Sequence, residues 1–577
     1  DHVDEEIREC FSPENPKNFF VFAGAGSGKT RSLIHALTYL DTEMGEKMFI
    51  NRKQIAVITY TNAACAEISR RLQYKPIFAV STIHSFLWEL IKNYQSDIRE
   101  WITQSLKVEI KELEEKLQKG IKGKAAEKRA HDLKKKAERL TRVSTVKKFL
   151  YNPNGENVGY DSLSHSEVIK MSTEFISTEP TMQDILTAKF PIILIDESQD
   201  TKKELVDALL SICERYKKNF IIGMFGDTMQ RIYTDGKENL SRCIPNDWLK
   251  PKKVMNHRSA KRIVDLANSI RSTIDDQRQC PRSDATEGVV RLFIAPSTAN
   301  KEQIEKKVTE FMAKDTGDEK WTNNTEYKSL ILEHHMAANR FRFASLYMPL
   351  NDSGQFDTSL KDGSIPELSL LVKVVSPLIL AYQNKNDFEI AKIMRINSPL
   401  LNKDVFEKNL GNQVLLLQNA EHAVEALMEL WKGENIPSCI EVLKSIRDTG
   451  LLKLGNRIDD ILSKESEGED IKITALRTAL SVPFDELERY YAYVTDSTRF
   501  ATHQGVKGLE FPRVMVIMDD AHARGFLFSY EKLFGAKAKT DTDIKNEREG
   551  KDTSLTRTAR LFYVACTRAQ ESLAVVA

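Results

Sequence analysis

Net charge is nearly absent from this chain: across 577 residues, 84 lysines and arginines face 83 aspartates and glutamates, leaving +1. No global positive field advertises a polyanionic partner, so affinity for nucleic acid has to come from local grooves. Cysteines are few and scattered. Cys10, Cys65, Cys213, Cys243, Cys280, Cys439 and Cys566 form no C-x-x-C pair, which argues against a zinc module, an iron–sulfur cluster or a disulfide framework and for a reducing cytoplasm. No apolar run approaches the roughly 18 residues of a membrane span, so no transmembrane helix and no membrane partner are expected. The first ten residues, DHVDEEIREC, are acidic and lack the apolar core of a signal peptide. Beginning at Asp1 rather than methionine implies that residues precede it. No internal repeat is evident, and no glutamine occurs before Gln54.

What is present is a series of short motifs that suit nucleotide chemistry. Phe19–Ala23 (FFVFA) is an apolar run of the kind a buried parallel strand makes, and Arg31–Leu40 has a helical pattern. Between them lies AGAGSGKT: Ala23, Gly24, Ala25, Gly26, Ser27, Gly28, Lys29 and Thr30. Strand, glycine loop and helix together form a phosphate cradle. The glycines let backbone N–H groups turn inward, and the helix N-terminus adds its positive end. Lys29 would contact the β and γ phosphates of ATP, and Thr30 would hold Mg²⁺. Ala23 stands where the pattern usually has its first glycine.

A second buried run, Pro191–Ile195 (PIILI), delivers Asp196 and Glu197 of the DESQD string to its C-terminal end, where ligands sit in a doubly wound sheet. Asp196 would hold Mg²⁺ and Glu197 would orient and deprotonate the attacking water. Two carboxylates capping a helix would explain an acidic residue here but not the whole string.

With TYTNAA (59–64), STIHSF (81–86), LSHSEVIKM (163–171), GDTMQRIY (226–233), NHRS (256–259), HQGVKGLE (503–510) and YVACTRA (563–569) in this order, the chain resembles a superfamily 1 helicase of the UvrD/Rep type over almost its full length. The resemblance implies an α/β fold of two RecA-like parallel-sheet lobes with ATP hydrolysed between them. By the same resemblance, Arg31 flanks the adenine, Glu510 binds the ribose and Gln230 senses the γ-phosphate. Arg258 and Arg568 are arginine fingers from the second lobe. Tyr60, Thr61, Asn62, His84 and Tyr233 line a path for single-stranded DNA, with Thr502, His503 and Lys507 on its opposite wall. Aromatics suit such a path because every base offers a π-face, worth about 1–3 kcal/mol each.

Length implies roughly three to four domains. The first RecA-like lobe is expected in residues 1–88 and 183–250, the second in 251–345 and 490–577. Two mainly helical insertions, 89–182 and 346–489, interrupt them. In the first, Ser105–Lys119 and Lys124–Arg142 form long helices joined at residues 120–123, an antiparallel hairpin. From Lys107 to Lys148, 15 Lys/Arg against 7 Asp/Glu leave +8, suited to duplex backbone or a partner protein; a solvated arm without a ligand is the equal alternative. The second insertion occupies the place of the family's mobile fourth subdomain but shows little of its usual sequence. Residues 531–558, charged and without apolar periodicity, are expected to be a flexible loop.

Three departures from the family pattern bear on function. The adenine-reading glutamine ahead of the cradle is missing. His257 replaces the tyrosine that stacks on adenine. Thr234 and Asp235 stand where an aromatic usually follows Tyr233, which weakens strand separation more than ATP hydrolysis. Two functions follow: a translocase and helicase moving 3′ to 5′ on single-stranded DNA, or a DNA-stimulated ATPase serving as sensor or regulatory subunit of a larger complex. Relatives of this shape occur beside OLD-type nucleases in phage-defence systems such as Gabija, so a nuclease partner belongs to the second reading.

Overall fold

The computed structural model describes residues 2–118, 124–153, 159–217, 219–233, 236–238, 240–296, 298–356, 359–401, 411–433, 435–455, 457–463, 470–495, 498–520 and 527–577. The hairpin turn at 120–123 and the pair Thr234 and Asp235 lie outside them. The chain divides into two compact units, Asp1–Gly288 with Lys532–Thr567, and Val289–Glu531 with Arg568–Ala577.

The first unit is built on a six-stranded sheet of β1 (Phe19–Ala23), β2 (Ile55–Thr59), β3 (Phe78–Thr82), β4 (Ile192–Ile195), β5 (Ile221–Gly226) and β6 (Lys252–Lys253), ordered β3-β2-β4-β5-β1-β6. Every pairing is parallel, as it is in the separate two-stranded sheet of β7 (Met255–Asn256) and β8 (Cys280–Pro281). The four central strands, β1, β2, β4 and β5, are fully buried and almost wholly apolar because both faces are covered. Alternation then sorts side chains to the two faces: Phe20, Phe22, Ile58, Ile195 and Met224 enter one core, while Phe19, Val21, Val57, Leu194 and Phe225 enter the other. The first core is completed by the helical insertion through Ile98, Ile102, Leu106 and Val168; the second by the helices His2–Glu9, Lys29–Ile50 and Asn62–Arg71.

The insertion's two long helices, Gln95–Gln118 and Lys124–Arg142, pack side by side. Lys136 pairs with Glu109 at 2.6 Å across the hairpin. Arg139 pairs at 2.6 Å with Glu167, which closes the capping box of the next helix, His165–Thr178.

The sheet continues into β6, and the helix Lys261–Arg271 packs on the helix Ser554–Cys566; residues 251–288 and 532–567 belong to this unit. The expectation of a loop over 531–558 is corrected: the segment holds the helices Tyr530–Leu533 and Asp541–Arg548. Apolar periodicity gives no sign of them because polar groups hold them. Burial would raise the Asp543 carboxyl, but hydrogen bonds from Thr540, Lys532 and Ser554 hold it well below the usual carboxylate range. Asp552 binds Arg560 at 2.9 Å and also pairs with Arg231.

The second unit carries a five-stranded parallel sheet of β9 (Val289–Phe293), β10 (Lys328–Ile331), β11 (Phe500–Thr502), β12 (Phe511–Ile517) and β13 (Ala569–Val576), ordered β11-β10-β12-β13-β9. Between β10 and β11 the described residues are helical. There Phe343 packs against Tyr347, Tyr490 and Tyr493, and the Tyr490 hydroxyl donates to the Leu360 carbonyl at 2.8 Å. Within this block the helical stretch Ser359–Gln383 is, by length and composition, long and apolar enough to cross a membrane, against the expectation that no such stretch exists. Its polar interruptions hid it from a search for unbroken apolar runs. Leu360, Ile365, Leu368, Leu371, Val375 and Leu378 on it are buried within the unit, as in a core helix.

Gly223 of β5 shows how tightly the first sheet is packed. A Cβ there would lie 2.2 Å from Cζ of Phe19 and 2.7 Å from Cδ2 of Leu194. Gly223→Ala should therefore lower the stability of the first unit by about 1–3 kcal/mol, read as a reduced midpoint in denaturant unfolding.

Candidate nucleotide site and aromatic pair

The phosphate loop leaves β1 at Ala23 and enters the 22-residue helix Lys29–Ile50. Gly26 (φ 69°) and Gly28 (φ 81°) adopt the left-handed backbone that turns the loop around its centre. Ser27 closes it by donating to the Gly24 carbonyl at 2.8 Å. The Lys29 ammonium is buried, stands 3.5 Å from Glu197 and makes no hydrogen bond among the described residues. A buried cation with open donors at a helix N-terminus suits a polyphosphate, which supplies the missing acceptors. Thr30 is half-buried one residue further on, and Arg31 is exposed.

β4 presents Asp196, buried, followed by Glu197 at φ 50°. A non-glycine residue in this region is strained, and such strain gathers at functional sites. The Glu197 N–H donates to Oδ1 of Asp196 at 3.0 Å, and Nε2 of Gln199 donates to Oε2 of Glu197 at 2.5 Å. Glu197 is thus held by its own backbone and by Gln199, which also accepts from the Asp227 N–H at 3.0 Å. Among the described residues no group of three His, Cys, Asp or Glu could hold a metal alone. One carboxylate and one hydroxyl, Asp196 and Thr30, suit a cation that takes its remaining ligands from phosphate and water, the habit of Mg²⁺.

Beneath the loop lies a buried polar network. Asp227, at the end of β5, is 2.9 Å from Arg271, and both side chains are essentially without exposure. Burial would raise this carboxyl; the Arg271 and Lys29 cations, with hydrogen bonds from Gln230 and Met229, hold it below its ordinary value. Gln230 donates to Asp227 at 2.9 Å. The Tyr563 hydroxyl donates to Asp227 at 3.3 Å and accepts from Arg271 at 3.1 Å and from the Ala25 N–H at 3.2 Å. Gln279 and Asn256 donate to the Ala25 carbonyl at 2.9 and 3.0 Å, and the His257 N–H donates to the Gly26 carbonyl at 2.8 Å. A Cβ on Gly24 would sit 2.5 Å from Gln279, and one on Gly26 2.7 Å from Arg258.

Gln230, His257 and Arg258 are therefore gathered at the loop with Lys29 and Glu197. His257 is exposed; its partial burial, then the cations Lys253, Arg282 and Arg31, lower its pKa from the ordinary value. Arg258, expected on the second lobe, belongs to the first unit, and its Nη1 donates to the Thr567 carbonyl at 3.2 Å. Sequence reasoning missed Arg271 and Gln279 because neither belongs to a motif; only a pattern of buried charge could have found them.

Tyr60, Thr61 and Asn62 follow β2 and are exposed. Thr61 caps the helix Asn62–Arg71. Tyr60 stacks on Tyr233, ring centroids 4.9 Å apart and planes inclined by 22°. His84 is half-buried with its ring 4.9 Å from that of His165. Burial, then the neighbouring His165 and Lys202, pushes its pKa down to about 4.

The remaining expected residues lie in the second unit. Arg568 is buried and donates to the Leu509 carbonyl at 3.2 Å. Glu510 is exposed and accepts from Gln570 at 3.1 Å. Lys507 is half-exposed. Thr502, expected along the strand path, is buried, its hydroxyl accepting from the Gly505 N–H at 3.0 Å. His503, expected beside it, has no exposed surface and is hydrogen-bonded to Tyr530 at 2.9 Å; burial pushes its pKa down to about 4.

Residues 4–175 and 156–234 match the UvrD/REP helicase N-terminal domain. Gabija protein GajB of Bacillus cereus (strain HuB5-5) is 25% identical, over 99% of this chain and 95% of its own length. ATP-dependent DNA helicase PcrA of Staphylococcus epidermidis is 22% identical and that of Staphylococcus aureus 21%, each over 99% of this chain and 82% of the relative.

The imidazoles of His84 and His503 imply a pH dependence of stability. Their folded pKa lies below the unfolded value of about 6.5, so their contribution is full above that pH. It is lost as pH falls toward 4, because only the unfolded state takes up the proton. Each should add about 1.4 kcal/mol per pH unit to the slope in that window. Denaturant unfolding at pH 7 and pH 5 should show the loss, and His503→Gln should make it shallower. Replacing Arg271 with Ala leaves Asp227 buried and unmatched, which should cost about 3–5 kcal/mol in the same assay.

Proposed function

We propose that this chain is a UvrD-like helicase of superfamily 1 that couples ATP hydrolysis at the Lys29–Glu197 loop to 3′-to-5′ movement along single-stranded DNA. The observation that carries the reading is the buried Lys29 ammonium, open to phosphate, beside a Glu197 held in a strained backbone. Lys29 and the loop N–H groups hold the β and γ phosphates. Glu197 takes the proton of the attacking water, and Gln199 fixes its orientation. Thr30 and Asp196 would hold Mg²⁺, which would supply charge neutralisation on the phosphate oxygens. Gln230 senses the γ-phosphate, and Arg258 and Arg568 stabilise the charge that spreads over it in the transition state. His257, Arg31 and Glu510 contact the nucleoside.

On the DNA side, Tyr60 and Tyr233 separate to accept a base between them, with Thr61, Asn62, His84 and Lys507 along the strand. The six segments bounded at residues 88, 182, 250, 345 and 489 describe the order of lobes and insertions along the sequence. A second reading rests on the likeness to GajB over nearly the whole chain: a DNA-stimulated ATPase acting in the cytoplasm as the regulatory subunit of a nuclease complex in phage defence, with an OLD-type nuclease as partner and weak unwinding of its own.

Lys29→Ala should abolish ATP hydrolysis. Glu197→Gln should keep nucleotide affinity and lose turnover, and wild-type turnover in that variant would remove Glu197 as the base. On a labelled single strand, Tyr233→Ala should lose about 1–3 kcal/mol of affinity and move fewer nucleotides per ATP. Movement toward the 5′ end separates the motor from an ATPase that merely binds DNA.

A further inference from the structure

The second unit holds a cavity of about 590 Å³ that none of the chemistry above uses. It opens at the N-terminal edge of the second sheet, where Tyr327 precedes β10 and Arg499 precedes β11. Five cations line it, Lys306, Arg340, Arg342, Arg489 and Arg499, against a single carboxylate, Glu302.

Three of these cations are held in place by neighbouring carboxylates. Arg340 and Arg499 share the buried Glu305 at 2.8 and 3.5 Å. Arg499 donates to the Tyr327 hydroxyl at 2.9 Å and lies 4.7 Å over the Phe500 ring. Arg489 pairs with Asp485 at 2.6 Å, and its Nε donates to the Arg342 carbonyl at 3.0 Å. Arg342 itself is exposed, and its side chain has no hydrogen bond or ion pair among the described residues. It sits just past the helix His334–Arg340 at φ 55°, where the Phe343 N–H reaches the Ala338 carbonyl at 2.9 Å and the Arg342 N–H reaches the Asn339 carbonyl at 3.4 Å. That helix ending usually takes glycine. The sequence instead sets a guanidinium there, at the mouth of a cationic cavity.

We propose that this cavity binds a phosphate-bearing ligand of nucleotide size, at a site separate from the phosphate loop. Its volume lies within the range of about 300–1,000 Å³ common to small-molecule sites. Guanidinium groups match phosphate oxygens in paired geometry. Arg342 and Arg489 are the phosphate contacts, Arg340 and Arg499 supply the fixed field behind them, and Phe341 on the lining offers a ring to a base.

The test uses the full chain carrying Lys29→Ala, which silences the phosphate loop. Calorimetric titrations with ADP, inorganic pyrophosphate and a short single-stranded oligonucleotide form three arms. One pyrophosphate site should remain, and raised salt should weaken it. Arg342→Gly with Arg489→Gln should weaken it about tenfold or more. Arg342→Gly relieves the positive φ, so the thermal midpoint should not fall; Lys306→Glu, at an exposed position, gives an independent loss. Competition between pyrophosphate and the oligonucleotide would make strand phosphates the source, and competition with ADP alone a free nucleotide. No binding in any arm, or binding that these variants leave unchanged, overturns the proposal, whatever the fate of ATP turnover at the loop.

Discussion

A carboxylate sealed from water has to be matched or it protonates, and Asp227 is such a carboxylate. Arg271 matches its charge, and Gln230, Met229 and Tyr563 occupy its oxygens. Through those partners it fixes the surroundings of the phosphate loop. Tyr563 reaches the Ala25 N–H, Gln279 and Asn256 reach the Ala25 carbonyl, and Gln230 is held at the end of β5. The helices Lys261–Arg271 and Ser554–Cys566 are tied to the first sheet for the same reason, since one supplies Arg271 and the other Tyr563. A neutral isostere at Asp227 would leave Arg271 buried with Asp275, at 2.7 Å, as its remaining carboxylate.

Around that fixed pair, the reactive groups are open rather than saturated. Lys29 lies within reach of Glu197 and feels the field of Asp227, yet its ammonium donors remain free among the described residues. Glu197 is held by short-range contacts to its own neighbours. The loop is shaped by partners beneath it, and the cation that polyphosphate needs faces inward. Preorganisation of this kind costs no rearrangement when charge develops on the γ-phosphate.

Much of this was legible in the sequence. FFVFA and PIILI become β1 and β4, and GKT and DES take their places at the strand ends, because apolar runs bounded by glycine or carboxylates leave few alternatives. Lys124–Arg142 emerges with the bounds its period predicts. What stayed hidden depends on distance in the sequence rather than local pattern. Gln279 meets the loop from 254 residues away, and Arg271 pairs with Asp227 across 44. The helix Asp541–Arg548 is held by Asp543 and its polar partners, which carry no apolar period. His503 sits in a motif-like string yet is buried. Burial is set by neighbours such as Tyr530, which spacing alone does not reveal.

The central claim is that the Lys29–Glu197 site is a working ATPase driven by single-stranded DNA. Steady-state phosphate release by the full chain, measured while a single-stranded oligonucleotide is titrated at saturating ATP and Mg²⁺, addresses it most directly. Turnover should rise with the oligonucleotide to a plateau and vanish when EDTA is added. A rate that is zero at every DNA concentration, or one that DNA leaves unchanged, would contradict it.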